Sequence, residues 1–291
     1  MHFTNVGGPD PNAVGDTSDA VDAAGALYNS QICGGATILH TCVYRSVDGG
    51  LTWNSHLAWQ GAFDPSTGIG DNADKLFGTI SVDGAGQLQV LLPVRTNDDP
   101  VGYTTDCETN PSCQETPQPT NLLLVTSPDG GAHWTKPFQV NSGSGSWFFP
   151  WIAAGSGGVI DADYYQTSSL QPNSTNDQWF IDFSQITGAT ATVTGGAARY
   201  AKPPHVVSTR LDPNAVHVGG ICTFGIFCTV VPNANRDVAD SISIALDPAG
   251  GANPVWTNDA SGTRHVDFAC QSSGPSAFTN LKPLHGCYSS K

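Results

Sequence analysis

Short apolar runs separated by glycine turns recur along the whole chain, several alternating with the period of two expected for a strand with one buried face. Gly78-Thr79-Ile80-Ser81-Val82 leads through the turn Asp83-Gly84-Ala85-Gly86 into the alternating run Gln87 to Leu92. Ser241 to Leu246 leads through Asp247-Pro248-Ala249-Gly250 to Pro254-Val255-Trp256. Asp22-Ala23-Ala24-Gly25 precedes Ala26-Leu27-Tyr28, and a degenerate turn, Ala154-Gly155-Ser156-Gly157, joins Pro150-Trp151-Ile152-Ala153 to Val159-Ile160. Strand, tight turn, strand is a hairpin, and four in series predict a repeat architecture built of strands.

Composition agrees. The carboxylates are almost all aspartate, since Glu108 and Glu115 are the two glutamates of 25 acidic residues. Aspartate favours turns, because its short side chain bonds backbone two residues on, whereas glutamate favours helices. With 33 Gly and 20 Pro in 291 residues, the chain predicts an all-β fold in a single domain spanning 1–291. A net charge of −14 argues against binding a phosphate backbone, so no nucleic-acid partner is expected. No apolar run is long enough for a membrane span. The start, Met1-His2-Phe3-Thr4, lacks a charged-then-apolar signal, so any export signal is expected to have been removed. The eight cysteines fall as neighbours, Cys33/Cys42, Cys107/Cys113, Cys222/Cys228 and Cys270/Cys287, without zinc-ligand spacing. Four local disulfides in a secreted, extracellular protein are the expectation.

A second motif follows the hairpins. Ser46-Val47-Asp48-Gly49-Gly50-Leu51-Thr52-Trp53 and Ser127-Pro128-Asp129-Gly130-Gly131-Ala132-His133-Trp134 share Ser-x-Asp-Gly-Gly-x-x-Trp. The third unit keeps only Ser184, Gly188 and Thr190, and the fourth Gly274 and Ser276. These octapeptides resemble the Asp-box, or BNR repeat, of sialidase-like β-propellers. The stretch Ala234-Asn235-Arg236-Asp237, downstream of the Cys222/Cys228 loop, also resembles secreted bacterial proteins of that group. The resemblance implies a propeller of four-stranded antiparallel blades, with four repeats visible and up to six blades accommodated by the family pattern. It implies structural roles for Asp48, Asp129, Trp53 and Trp134. It also implies closure of the last blade by the segment near His2-Phe3-Thr4.

In such a fold, with strands A to D running outward from the axis, the B–C and D–A connections share one face. Here these are the long segments: Asn29 to Thr41, Thr96 to Pro119, Asn54 to Lys75 and Asp212 to Asp240. Long stapled loops on a rigid scaffold are where binding and chemistry concentrate. Pairs of aspartates sit just before expected A strands: Asp16 and Asp19, Asp71 and Asp74, Asp237 and Asp240. Asp74, Asp240 and Asp19 are the candidate acid–base carboxylates of a glycoside hydrolase. The alternatives are an oxygen-rich calcium site on the same carboxylates and plain turn capping; no other cofactor is expected. Arg236, Asp237 and Arg95 are candidate sugar contacts, with Trp147 and Tyr103 either stacking on a ring or filling the core. His205 and His217, twelve residues apart, show no metal-site spacing.

A working sialidase of this family would carry an early hydrophobic-Arg-x-Pro motif, an arginine triad and a tyrosine–glutamate nucleophile pair. The first arginine here is Arg45, directly before an octapeptide, and both glutamates lie beside Cys107 and Cys113. That apparatus is not found. Three readings therefore stand: a glycoside hydrolase using aspartate pairs on the loop face, a non-catalytic glycan- or protein-binding module, and a structural component of a surface assembly. Extracellular carbohydrate is the expected partner, and the sequence is silent on oligomeric state.

Overall fold

The computed structural model describes residues 8–9, 14–33, 40–64, 66, 69–73, 78–98, 118–170, 174–223, 228 and 235–278. The described residues form an all-β, four-bladed propeller. The first blade is β1 (Val14–Val21), β2 (Leu27–Ile32), β3 (His40–Ser46) and β4 (Asn54–Gln60), paired in that order. The second begins with a small hairpin, β5 (Phe63–Asp64) and β6 (Ile69–Asn72). It continues with β7 (Thr79–Val82), β8 (Leu88–Asp98), β9 (Thr120–Ser127) and the two-residue β10 (Phe138–Gln139). Both β6 and β7 pair with β8, so the inner strand of this blade is laid down in two pieces.

The third blade is β11 (Ser146–Ala154), β12 (Ile160–Thr167), β13 (Gln178–Thr187) and, after the ribbon β14 (Ala191–Thr194) and β15 (Ala197–Tyr200), β16 (His205–Arg210). A short strap, β17 (His217–Val218), pairs with the start of β13. The fourth blade is β18 (Ile242–Leu246), β19 (Ala252–Asn258) and β20 (His265–Phe268). The inner strands pack in sequence, β1 on β7, β7 on β11 and β11 on β18. The outer-strand partner expected for the fourth blade, near His2-Phe3-Thr4, lies outside the described residues.

Three of the four hairpin turns close alike. Asp22 Oδ1 accepts the amides of Ala24 and Ala26, Asp83 Oδ1 those of Ala85 and Gln87, and Asp247 Oδ1 those of Ala249 and Gly251, all within 2.7–3.0 Å. One carboxylate thus satisfies two turn amides, the reason aspartate recurs there. The fourth turn has Gly155 in place of the aspartate, and its backbone reaches both neighbouring blades. Gly155 O accepts from Gly84 N at 3.3 Å in the second blade, and Ser156 N donates to Ala277 O at 2.8 Å in the fourth. A Cβ on Gly155 would sit 2.0 Å from Ala277 O, so only glycine allows this approach.

The two octapeptides also fold alike. Ser46 Oγ and Ser127 Oγ each accept the amide of the second glycine, Gly50 or Gly131, at 2.9 Å. Asp48 and Asp129 each accept the amide four residues on at 2.9 Å, from Thr52 or His133. In the third blade the corresponding residues Ser184 and Ile186 are instead part of β13, and the β14–β15 ribbon replaces the compact turn.

The segment Asn54 to Lys75, expected as a long connection, is largely strand. Asn-Ser-His-Leu-Ala-Trp-Gln lacks clean alternation because β4 is an outer strand, exposed along much of its length. Two disulfides form as expected, Cys33–Cys42 and Cys222–Cys228, and Cys270 is also disulfide-bonded. Cys107, Cys113 and Cys287 lie outside the described residues.

Apolar burial between blades supplies the core. Leu91, Leu122, Leu124, Trp147, Ile152, Ile160 and Tyr164 fill the second junction; Phe148, Phe149, Tyr165, Trp179, Ile181 and Trp256 fill the third. Gly155→Ala should lower the melting temperature by several degrees through the clash at Ala277, while Gly84→Ala, whose Cβ meets open space, should change stability by less than about 0.5 kcal/mol. Thermal unfolding followed by circular dichroism distinguishes the two, and equal midpoints would show that the turn does not bind the fourth blade.

Candidate functional site at the junction of the third and fourth blades

The loop-face end of β11 combines a register shift with a residue of positive φ. Phe148 pairs with Tyr165 and Trp151 with Asp163, so Phe149 and Pro150 together face the single residue Tyr164. This is a β-bulge, a place where proline's missing amide removes no ladder bond. Phe149 has φ +54°, the sole non-glycine residue with positive φ among those described. Such strain persists only where surrounding packing fixes it, and it concentrates at functional sites. Here the ring is buried against Tyr165, edge to face at 6.1 Å between centroids.

Arg236 also lies over that ring, its guanidinium carbon 5.8 Å from the centroid. One nitrogen donates to Asp240 and another, at 3.5 Å, to the carbonyl of Cys222 in the disulfide loop. Arg264 donates to Asp237 alongside. The side chains of Arg236, Asp240, Asp237 and Arg264 are 25%, 39%, 47% and 56% exposed. Ion pairs this open to water contribute little to stability, so stability alone does not account for the cluster. It stands at the entry to β18, where an inner strand begins on the loop face.

Of the residues singled out from sequence, Arg236, Asp237 and Asp240 are brought together here. Asp74 and Tyr103 lie outside the described residues. Asp19 is not before an inner strand but inside one, two residues from the end of β1, and its carboxylate accepts from Asn29 Nδ2 at 2.6 Å. The polar run Gly15-Asp16-Thr17-Ser18-Asp19 imitates a loop, yet it lies within β1, with Ser18 and Asp19 paired to Ser30 and Asn29 after a register shift. Arg95 is 1% exposed, donating through Nε to Gln118 O and through Nη2 to Leu170 O, and so braces two loop-face segments from inside. Trp147 is 4% exposed and sits in the second junction. His205 and His217 pair with opposite ends of β13, at Thr187 and Trp179, about 26 Å apart at the strand rise of roughly 3.3 Å per residue. Among the described residues no group of three His, Cys, Asp or Glu could hold a metal ion, and no helix is long and apolar enough to cross a membrane.

Sequence reasoning missed two features of this junction. His217, buried on the strap, has Nδ1 2.7 Å from Asp259 Oδ1. The pairing links residues 42 apart, and no motif marks it. The second is a pair of wholly buried carboxyls, Asp161 and Asp163, on the side of β12 facing the fourth blade. Gln185 Nε2 donates to Asp161 Oδ1 at 2.9 Å; Asp161 Oδ2 and both Asp163 oxygens have no hydrogen-bond partner among the described residues. Burial pushes Asp161 up to about 7 against the opposing effect of Gln185, and holds Asp163 well above the usual carboxylate range. Burial also raises Tyr165, with the charges of Asp163 and Asp259 adding to it. The alternation Ile160-Asp161-Ala162-Asp163 looks like a half-exposed strand, and that pattern disguised the pair.

The folded protein holds these protons more tightly than the unfolded chain, so the stabilisation is complete below the unfolded pKa of about 4 and is lost as pH rises through 7. Asp161→Asn, which stays neutral, should therefore raise the melting temperature by several degrees at about pH 8, by progressively less toward lower pH, and leave it unchanged at about pH 3. A constant difference between wild type and variant across pH would show that Asp161 is not a buried neutral acid.

No family model matches the chain, and no curated protein matches it in sequence. Among solved structures, it is similar to an ulvan lyase from a new family of polysaccharide lyases, with a TM-score of 0.52 at 9% identity, covering 90% of this chain and 53% of that one. It is also similar to a Penicillium chrysogenum α-L-arabinanase complexed with arabinobiose, with a TM-score of 0.49 at 13% identity over 94% of this chain and 67% of that one. For a Hadza microbial sialidase the values are 0.43 and 15%, over 87% and 43%. The chain thus spans about half the length of the lyase and less than half that of the sialidase. At these identities the likeness is one of fold, and that fold is a propeller.

Proposed function

We propose that this protein is a secreted, disulfide-stapled propeller of the sialidase-like group that engages extracellular carbohydrate at the loop-face junction of its third and fourth blades. The observation that carries this reading is Arg236 stacked over the strained Phe149 and paired with Asp240, beside Asp237 and Arg264. Alternating donors and acceptors on a rigid platform suit the hydroxyl pattern of a sugar, and pairing keeps the arginines extended before a ligand arrives. The two Asp-containing turns are the Asp-boxes of this assignment, and the disulfides support an oxidising compartment. The name of the similar ulvan lyase, a polysaccharide lyase, is compatible with a carbohydrate ligand.

In this proposal Arg236, Asp237 and Asp240 contact the glycan directly, Tyr103 is a further contact, and Arg95 and Trp147 hold the surrounding loops. A second reading is hydrolysis, favoured by the exposure of Asp240 at the junction. It assigns acid and base roles to Asp240 and Asp74, with Asp19 on the neighbouring inner strand, or calcium to the same carboxylates.

Purified protein should bind at least one member of a panel of neutral and acidic polysaccharides, and Arg236→Ala should weaken that binding by about tenfold, the loss of roughly 1.4 kcal/mol of charge-assisted contact. Product analysis on the same panel, with Asp240→Asn and Asp74→Asn alongside, separates the two readings. Turnover abolished by either change makes the protein a glycoside hydrolase; binding without turnover makes it a recognition module. Absence of any binding overturns the proposal.

A further inference from the structure

The opposite side of the third blade, facing the second, is apolar near the axis and becomes polar outward. The cause is the brevity of β10: two residues leave the outer part of the third blade's sheet uncovered. The uncovered strip, with residues 142–144 of the connection into β11, encloses a niche of about 200 Å³. Its walls include Trp147, Tyr164, Gln166, Asp182, Ser208 and Arg210. This is smaller than the roughly 300–1,000 Å³ typical of drug-sized ligands, leaving room for one ring and not for a chain of them.

Arg210 is held from three sides. Its Nε donates to Asp182 Oδ1 at 2.9 Å, and its Nη2 to Gln166 Oε1 at 2.7 Å and Asp182 Oδ2 at 3.4 Å. Its guanidinium carbon lies 4.0 Å from the centroid of the Phe180 ring. Three of the five N–H donors are thereby used, leaving the two on Nη1 without an acceptor among the described residues. Beside it, a chain of hydroxyls runs from the buried Tyr164 through Ser184, at 2.6 Å, to Ser208, at 2.7 Å. A fixed pair of donors and a hydroxyl that can give or accept form a hydrogen-bonding set beside the largely buried indole of Trp147. Arg210 and Asp182 cancel in charge, and the chain carries −14 overall, so an anionic group gains nothing from this position.

We infer that the niche is a binding subsite for one neutral sugar ring, with Arg210 Nη1 donating to ring hydroxyl oxygens and Ser208 completing the contact. The inference rests on the carbohydrate reading above. It adds a second anchor, on the loop side of the third blade but across the sheet from Arg236. A glycan held at both points would span that blade.

Isothermal titration with arabinobiose, cellobiose and lactose tests this, with digalacturonate as the charged comparator. Wild type should bind a neutral disaccharide. Arg210→Gln should weaken it by about tenfold and Ser208→Ala by about threefold, while Arg236→Ala reports separately on the other anchor. Ser208→Phe, at an exposed position, fills the niche without removing the ion pair and should abolish the same fraction of affinity if Arg210→Gln unfolds the protein. Undiminished binding in folded Arg210→Gln and Ser208→Phe overturns the subsite and leaves the carbohydrate reading intact. Tighter binding of digalacturonate than of any neutral disaccharide overturns the neutral-ring assignment. Failure of all probes, together with the polysaccharide panel, overturns both.

Discussion

One extra residue in β11 sets the geometry of the loop face. A regular strand sends alternate side chains to opposite sides, so Phe148 and Trp151 would face different blades. The bulge at Phe149-Pro150 resets that parity and puts both on the side of the fourth blade, opposite Tyr165 and Asp163. Trp147 and Ile152 are thereby both delivered to the second junction. The same distortion lets Phe148 and Phe149 enter one aromatic cluster with Trp179, Tyr165 and Trp256. Without it, Arg236 has no ring beneath it, and the charged group at the start of β18 loses its floor.

The junction below this platform is built from conflicting demands. Aromatic burial draws the blades together, while Asp161 and Asp163 are carried inside the same seam without cationic partners among the described residues. Burial raises both pKa values and so eases the conflict, since a neutral carboxyl is much less costly to bury than a charged one. The third blade thus presents two chemically different sides: one toward the fourth blade, with buried acids inside and a cavity of about 650 Å³ further out, and one toward the second that is apolar inside and hydrogen-bonding outside. The hydrogen-bonding outer part of the latter follows from the length of the neighbouring outer strand, since a two-residue β10 cannot cover what a full strand would.

Much of the fold was legible because the turns repeat. Asp22, Asp83 and Asp247 do the same hydrogen-bonding job three times, and a repeated local solution leaves a repeated sequence. The two octapeptides were legible for the same reason. The site was legible only where its residues are close in sequence, as Arg236, Asp237 and Asp240 are. His217 and Asp259 meet across two blades, and Arg210, Asp182 and Gln166 meet across three strands; neither constellation has a spacing that the chain displays. The run Trp147 to Ile152 is apolar apart from its backbone irregularity, so periodicity could not tell which side each residue would face. Asp19 was misplaced because inner strands tolerate polar residues that elsewhere signal a loop.

The degenerate turn of the third blade has a further consequence. Its backbone bonds reach forward and back around the ring, from Gly155 to the second blade and from Ser156 to the fourth. Local opening of that turn therefore breaks contacts in three blades at once, which joins them into one cooperative unit. The amides of Gly84 and Ser156 should then exchange with solvent only when that whole unit opens. The loops on the other face can lengthen, shorten or change chemistry without touching this linkage, so the scaffold's cooperativity and the chemistry of its loop face are separable properties of the same chain.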